Sequence, residues 1–167
     1  YVLTKLASEH VALSEQANHD IEEVILRPGD AYGPGSRPWI IAPLEAIAKN
    51  QFMLPAKGEG FFRPIVIDDL VRGIALATSH PDAGGEIFNL SCEGYMLTKE
   101  YFAPHYKWLG KKGPILVSIK LALRVSAIAS KVADLMGNLN EASPSTVMQL
   151  STKSWFSIQK AERILGW

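Results

Sequence analysis

At 167 residues the chain is the size of one ordinary domain, and a composition of 47% hydrophobic and 20% charged residues excludes a disordered segment. Seventeen basic residues balance seventeen acidic ones, so the basic excess that tracks phosphate backbones is missing and nucleic acid is not expected as a partner. The single cysteine, Cys92, rules out an internal disulfide framework and fits a reducing, cytoplasmic setting. His10, His19, His80 and His105 lack metal-binding spacing, so they are read as surface or loop residues and no metal site is expected.

From Tyr1 to about Asn18, apolar residues recur between polar ones without Gly or Pro, which predicts one helix. Tyr1 and Lys5 stand four apart and so share a face of it. A tyrosine with its ordinary pKa of about 10 is a poor base at neutral pH unless a positive charge favours the phenolate, and reaching neutrality takes roughly 3–4 kcal/mol. One partly exposed lysine supplies only part of that, and a bound cationic cofactor ring is a natural second source. By spacing alone the pair reads better as a solvated helix face, until other residues support the proton-transfer reading.

"EEVILRPGDAYGPG" then gives a buried strand over Val24–Leu26, stopped by Pro28 and followed by a glycine-rich loop. Arg27 is read as a structural ion-pair partner. "PWIIAPLEAIAKNQ" resumes helical spacing, with Pro43 marking a kink or a restart. A short extended piece and a glycine turn lead to a strand over Pro64–Ile67 and a helix from about Asp69 to Ser79. Asp68 or Asp69 is placed to cap that helix and to oppose its dipole, a better reading than paired catalytic carboxylates. "GGEIFNLSC" predicts another strand. "TKEYFAPHYKWLG" predicts a helix interrupted near Pro104, after which "GKKG" reads as a linker. Helices alternating with strands predict an α/β fold with crossover connections.

In this order, Tyr1 and Lys5 as a Tyr-x-x-x-Lys pair, "LRPGDAYGPG" after a strand, "PIVIDDLVRGIALA", "GEIFNLS" and the closing "FSIQKAERILGW" nearly span the chain. Together they resemble the C-terminal half of an extended short-chain dehydrogenase/reductase, of the NAD-dependent epimerase/dehydratase and 3β-hydroxysteroid dehydrogenase type. The resemblance implies the C-terminal half of a Rossmann-like, doubly wound parallel sheet with a small mixed α/β substrate domain. Residues 1–112 would be the end of the NAD(P)-binding domain interleaved with substrate-binding segments, and 113–167 a mainly helical substrate-domain or lid segment.

The resemblance also implies roles. Tyr1 would be the general acid/base, and Lys5 would hydrogen-bond the nicotinamide ribose and help lower the Tyr1 pKa. Pro28 and Gly29 would lie against the nicotinamide, and Tyr32 near the substrate. The cofactor would be NAD or NADP, and the helix bearing the Tyr-x-x-x-Lys pair would make a homodimer. The glycine-rich turn that holds a dinucleotide pyrophosphate is not in this sequence. These residues alone are therefore expected neither to bind NAD(P) tightly nor to turn over. Beginning on Tyr1, within a helix, the chain reads as part of a longer polypeptide.

Nucleotide-sugar members of the family place an arginine ahead of the paired aspartates to meet substrate phosphate, and Arg63 falls one residue from that register. "PILVSIKLALRVSAIASKVADLMG" is too interrupted by charge for the ~18 apolar residues of a membrane span. At helical spacing Lys120, Arg124 and Lys131 fall on one narrow face of it. Such a helix is either a lid on the substrate domain or, over residues 115–136, a peripheral membrane contact. These features lean towards hydride transfer to or from a secondary alcohol or ketone of an apolar, sterol- or lipid-like substrate. The alternatives are a nucleotide-sugar epimerase/dehydratase and a non-catalytic half-length binding module.

Overall fold

The computed structural model describes residues 2–18, 21–135 and 143–167. In chain order the elements are α1 (Val2–Ala17), β1 (Ile25–Pro28), β2 (Asp30–Tyr32), a π-helical turn (Arg37–Ile41) running into α2 (Ala42–Ala48), β3 (Met53–Leu54), a 3-10 turn (Pro55–Gly58), β4 (Phe61–Phe62) and β5 (Pro64–Val66). There follow α3 (Ile67–Ser79), β6 (Ile87–Leu90), β7 (Met96–Leu97), α4 (Thr98–Trp108), β8 (Ile115–Leu116), α5 (Ile119–Leu135), α6 (Pro144–Ser151) and α7 (Gln159–Leu165). Two compact units interleave along the chain: residues up to Gly29 with Ile65–Glu93 and Phe156–Trp167, and Asp30–Pro64 with Gly94–Trp155. This cuts the chain differently from the expected 1–112 and 113–167, because the last residues pack back on the first unit.

In the first unit β1 and β6 pair in parallel, Ile25 opposite Ile87 through Pro28 opposite Leu90. The Gly29 N–H extends the ladder by donating to the Leu90 carbonyl at 2.8 Å. Phe88 and Leu90 are fully buried, the side of β6 on which the helices close. A Cβ on Gly73 would stand 2.7 Å from Leu90 Cδ1 and 2.9 Å from Trp167 Nε1, so glycine is what lets α3 approach the strand. The Trp167 indole donates to the Asp69 carbonyl at 3.0 Å, and Asn89 donates to Ser157 at 3.1 Å, tying the chain end to this unit.

Helix α3 begins at Ile67, earlier than expected, and this corrects the reading of its aspartates. Its N-cap is Val66, which has no acceptor, while Asp68 and Asp69 lie in the first turn. They complement the helix dipole without capping. Asp69 also pairs with Arg72 at 3.3 Å.

In the second unit β3 runs parallel to β8 and β4 antiparallel to β7. Leu54, Phe62, Tyr101, Phe102 and Leu150 form its core, with Trp39, Phe52 and Met96 packed against them. A smaller cluster of Val117, Ala122 and Val147 seats α5 on α6. Gly60 passes so close to α6 that a Cβ there would lie 1.9 Å from the Leu150 carbonyl oxygen.

Two further expectations are corrected in α4. The helix continues through Pro104, whose cost of ~3 kcal/mol is offset by burial of Tyr101, Phe102, His105 and Tyr106 along one face. His105 is therefore a core residue rather than a surface one: its Nε2 lies 3.0 Å from the Trp39 carbonyl, and burial pushes its pKa down. His19 lies outside the described residues.

Candidate active site and substrate groove

Of the expected proton-transfer pair, Lys5 stands on α1, while Tyr1 lies outside the described residues. Helix α1 is fixed to its unit by Arg27, which forms an ion pair as the sequence predicts. Its Nε donates to Glu9 at 3.1 Å and its Nη2 makes a second contact with the same carboxylate. That guanidinium holds the Glu9 carboxyl below its usual range. Helix α1 and strand β1 are thus tied by a forked contact, the geometry in which Arg outperforms Lys.

Pro28 ends β1 and is exposed, with Gly29 half-buried after it. Since β1 and β6 are parallel, their carboxyl ends fall at the same edge, where open α/β sheets bind ligands. The residues present suit the nicotinamide end of a dinucleotide: an open proline face at the strand end, beside a glycine without a side chain. No phosphate-holding glycine turn accompanies them in the sequence.

Tyr32 and Arg63, the expected substrate residues, belong to the second unit. Tyr32 meets Tyr101 edge-on at 5.7 Å between ring centres. Arg63 Nη1 donates to the Ser154 carbonyl at 2.9 Å, and its backbone N–H donates to Asp30 Oδ2 at 3.3 Å. Asp30 also accepts from Gln149 Nε2 at 2.8 Å, and burial raises its carboxyl pKa. Burial likewise raises the Tyr101 phenol, whose hydroxyl donates to the Trp39 carbonyl at 3.4 Å.

Sequence reasoning missed a groove in the second unit. A groove of about 740 Å³ opens in the second unit, with walls that include Trp39, Phe52, Phe102, Val125 and Leu150. Arg37, Lys49 and Glu45 add two positive charges and one negative to its lining. Neither Tyr32 nor Arg63 lines it. The signal available in the sequence was the aromatic pair Trp39 and Phe52 flanking α2, which by periodicity alone is ordinary core. Among the described residues, no cluster of three His, Cys, Asp or Glu could hold a metal ion.

Comparison with known proteins supports the fold. The chain superposes on an epimerase from Methanothermobacter thermautotrophicus with a TM-score of 0.70 at 21% identity, covering 99% of this chain and 44% of the other. It superposes on a UDP-glucose 4-epimerase with UDP-glucose from Thermotoga maritima with a TM-score of 0.69 at 18% identity, covering 100% and 47%. For a UDP-glucuronic acid 4-epimerase from Bacillus cereus in complex with NAD the values are 0.69, 20%, 99% and 45%. These likenesses show the fold, and the chain spans about half the length of the structures it matches. No curated protein sequence matches it. The family model described as "NAD dependent epimerase/dehydratase family" matches residues 1–91, more than half of the chain and the stretch that holds Tyr1, Lys5, Pro28 and Gly29. The chain belongs to the NAD-dependent epimerase/dehydratase family.

Proposed function

We propose that this chain is the proton-transfer and substrate-binding half of an NAD-dependent epimerase or dehydratase that acts on a nucleotide sugar. The observation that carries the class is the family match over residues 1–91. NAD held at this edge would supply reversible hydride acceptance, with a secondary alcohol of the substrate oxidised to the ketone or the ketone reduced. Tyr1 accepts the hydroxyl proton as hydride leaves and gives it back on return. Lys5 favours the Tyr1 phenolate through its positive charge and holds the nicotinamide ribose. Pro28 and Gly29 would offer an open, uncharged surface to the nicotinamide.

For the substrate, the groove supports a nucleotide: Trp39 and Phe52 give aromatic surface for a base, and Lys49 gives positive charge for a diphosphate, next to Arg37, which is ion-paired with Glu45 at 3.6 Å. The same groove favours a second reading, an apolar sterol- or lipid-like alcohol, because its walls are mostly hydrocarbon. Pairing of two copies through α1, where Leu3, Leu6 and Val11 are exposed, belongs to the same proposal.

The test uses the polypeptide as its cell makes it, supplied with NAD and either UDP-hexoses or hydroxysteroids. Conversion of a nucleotide sugar without net accumulation of NADH is the expected result. Stoichiometric NADH from a hydroxysteroid would establish the second reading. Failure to bind NAD at all would leave a non-catalytic binding module.

A further inference from the structure

Helix α5 packs inward through Ala122 and Ser126, both buried. Its opposite side carries Leu121, Val125, Ile128, Val132 and Leu135, spaced alternately four and three apart, and all are exposed; Ile128 is 65% exposed and Leu135 87%. At about 100° per residue these five fall within an arc of roughly 80°, with Lys120, Arg124 and Lys131 along one flank of it. The surrounding sequence has a one-sided charge. Between residues 101 and 133 there are six basic residues (Lys107, Lys111, Lys112, Lys120, Arg124, Lys131) and no Asp or Glu. In a chain of zero net charge, the remainder therefore carries six more acids than bases. Helix α5 also carries one acid, Asp134, which at helical spacing falls beyond the basic residues, on their side away from the stripe. An apolar stripe whose bordering charges are basic matches one surface chemistry: an anionic bilayer, with acyl chains for the stripe and headgroups for the cations. Among the described residues no helix is long and apolar enough to cross a membrane, so the helix would lie in the interface.

We propose that α5 attaches this protein to anionic lipid bilayers, with Leu121, Ile128 and Val132 in the acyl boundary and Arg124 and Lys131 against the headgroups. A second copy of the chain is the less suitable occupant. Antiparallel stripe-to-stripe packing of two α5 helices would bring Arg124 and Lys131 of each to the same side as those of the other, with Asp134 the one acid on each helix against its three basic residues. The proposal is independent of the enzymatic reading, since vesicle binding needs neither NAD nor substrate. Val125 belongs both to the exposed stripe and to the groove wall, so attachment would bring the groove to the lipid surface.

The test is flotation of the polypeptide, as its cell makes it, with vesicles of phosphatidylcholine alone or with phosphatidylserine added, at low and high salt. Circular dichroism confirms that each variant is folded. Binding to the anionic vesicles only, reversed by salt, is expected. Arg124→Gln with Lys131→Gln should lower partitioning about thirtyfold, near fivefold per charge removed. Ile128→Ser with Val132→Ser should abolish it. Failure of the parent protein to float with anionic vesicles at low salt overturns the proposal, as does equal binding to neutral vesicles. Self-association without lipid binding, lost in the Ile128→Ser and Val132→Ser variant, would instead assign the stripe to a second copy.

Discussion

Gln149 Nε2 donates to Asp30 Oδ1 at 2.8 Å across 119 residues of sequence, joining the start of β2 to α6. Asp30 is buried, and its second oxygen accepts from the Arg63 N–H at 3.3 Å. Gln149→Leu removes one of these donors and leaves a buried carboxylate short of a partner. The expected cost is about 2 kcal/mol at neutral pH, read from urea unfolding, and less in acid, where a neutral carboxyl loses less.

Asp30 also sets a pH dependence. Burial raises its pKa more than the Arg63 and Gln149 hydrogen bonds lower it, so the folded chain holds this proton more tightly than the unfolded one. Its contribution to stability is therefore fully present below the ordinary carboxylate value of about 4 and is lost as pH rises through the raised folded value. Asp30→Asn should gain stability relative to the parent across that window and show a flatter profile in denaturant titrations. Parallel profiles for the two proteins would refute it.

Gly60→Ala forces a methyl group towards the Leu150 carbonyl, where a Cβ would stand at 1.9 Å. Both positions belong to the core of the second unit, and α6 cannot yield without disturbing Leu150. A loss of about 3 kcal/mol or more is expected, measured by thermal or urea unfolding. An unchanged midpoint would mean that the β4 approach to α6 is looser than described.

Filling the groove should separate substrate binding from cofactor binding. Ala129 lines it and is itself exposed, so Ala129→Trp adds bulk without disturbing the core. Substrate affinity should fall by about tenfold or more, equal to 1.4 kcal/mol, with NAD affinity unchanged in calorimetric titration.

Two predictions concern the proton-transfer end. In the polypeptide as its cell makes it, Tyr1→Phe should lower kcat by roughly 10²–10⁴ with little change in NAD binding. The 167-residue chain by itself should not bind NAD tightly, because its sequence holds no glycine-rich phosphate turn. Micromolar binding in a cofactor-fluorescence titration would overturn this.

Local pattern was enough for the elements whose signal is local. Helix α1, strands β1 and β6 and the family itself were legible from apolar spacing and motif order, since each rests on residues adjacent in sequence or repeated by type, whereas Arg27 was legible as an ion-pair residue but its partner Glu9, eighteen residues away, was not. Helix α3 was legible apart from its first turn, because the cap depends on where β5 ends rather than on which residue could cap. Pro104 misled for the opposite reason: its local cost is real, and only the burial of Tyr101, Phe102, His105 and Tyr106 outweighs it. The groove, the Asp30–Gln149 contact and the return of Trp167 to Asp69 join residues far apart in sequence, so no window of sequence contains them. For α5 the sequence determined an amphipathic helix with one basic stripe and left its placement open between a lid and a membrane contact. Tertiary packing decided which face is used: Ala122 packs with Val147 of α6 and Ser126 is buried on the same side, and that choice turns the apolar stripe of Leu121, Ile128 and Val132 outward.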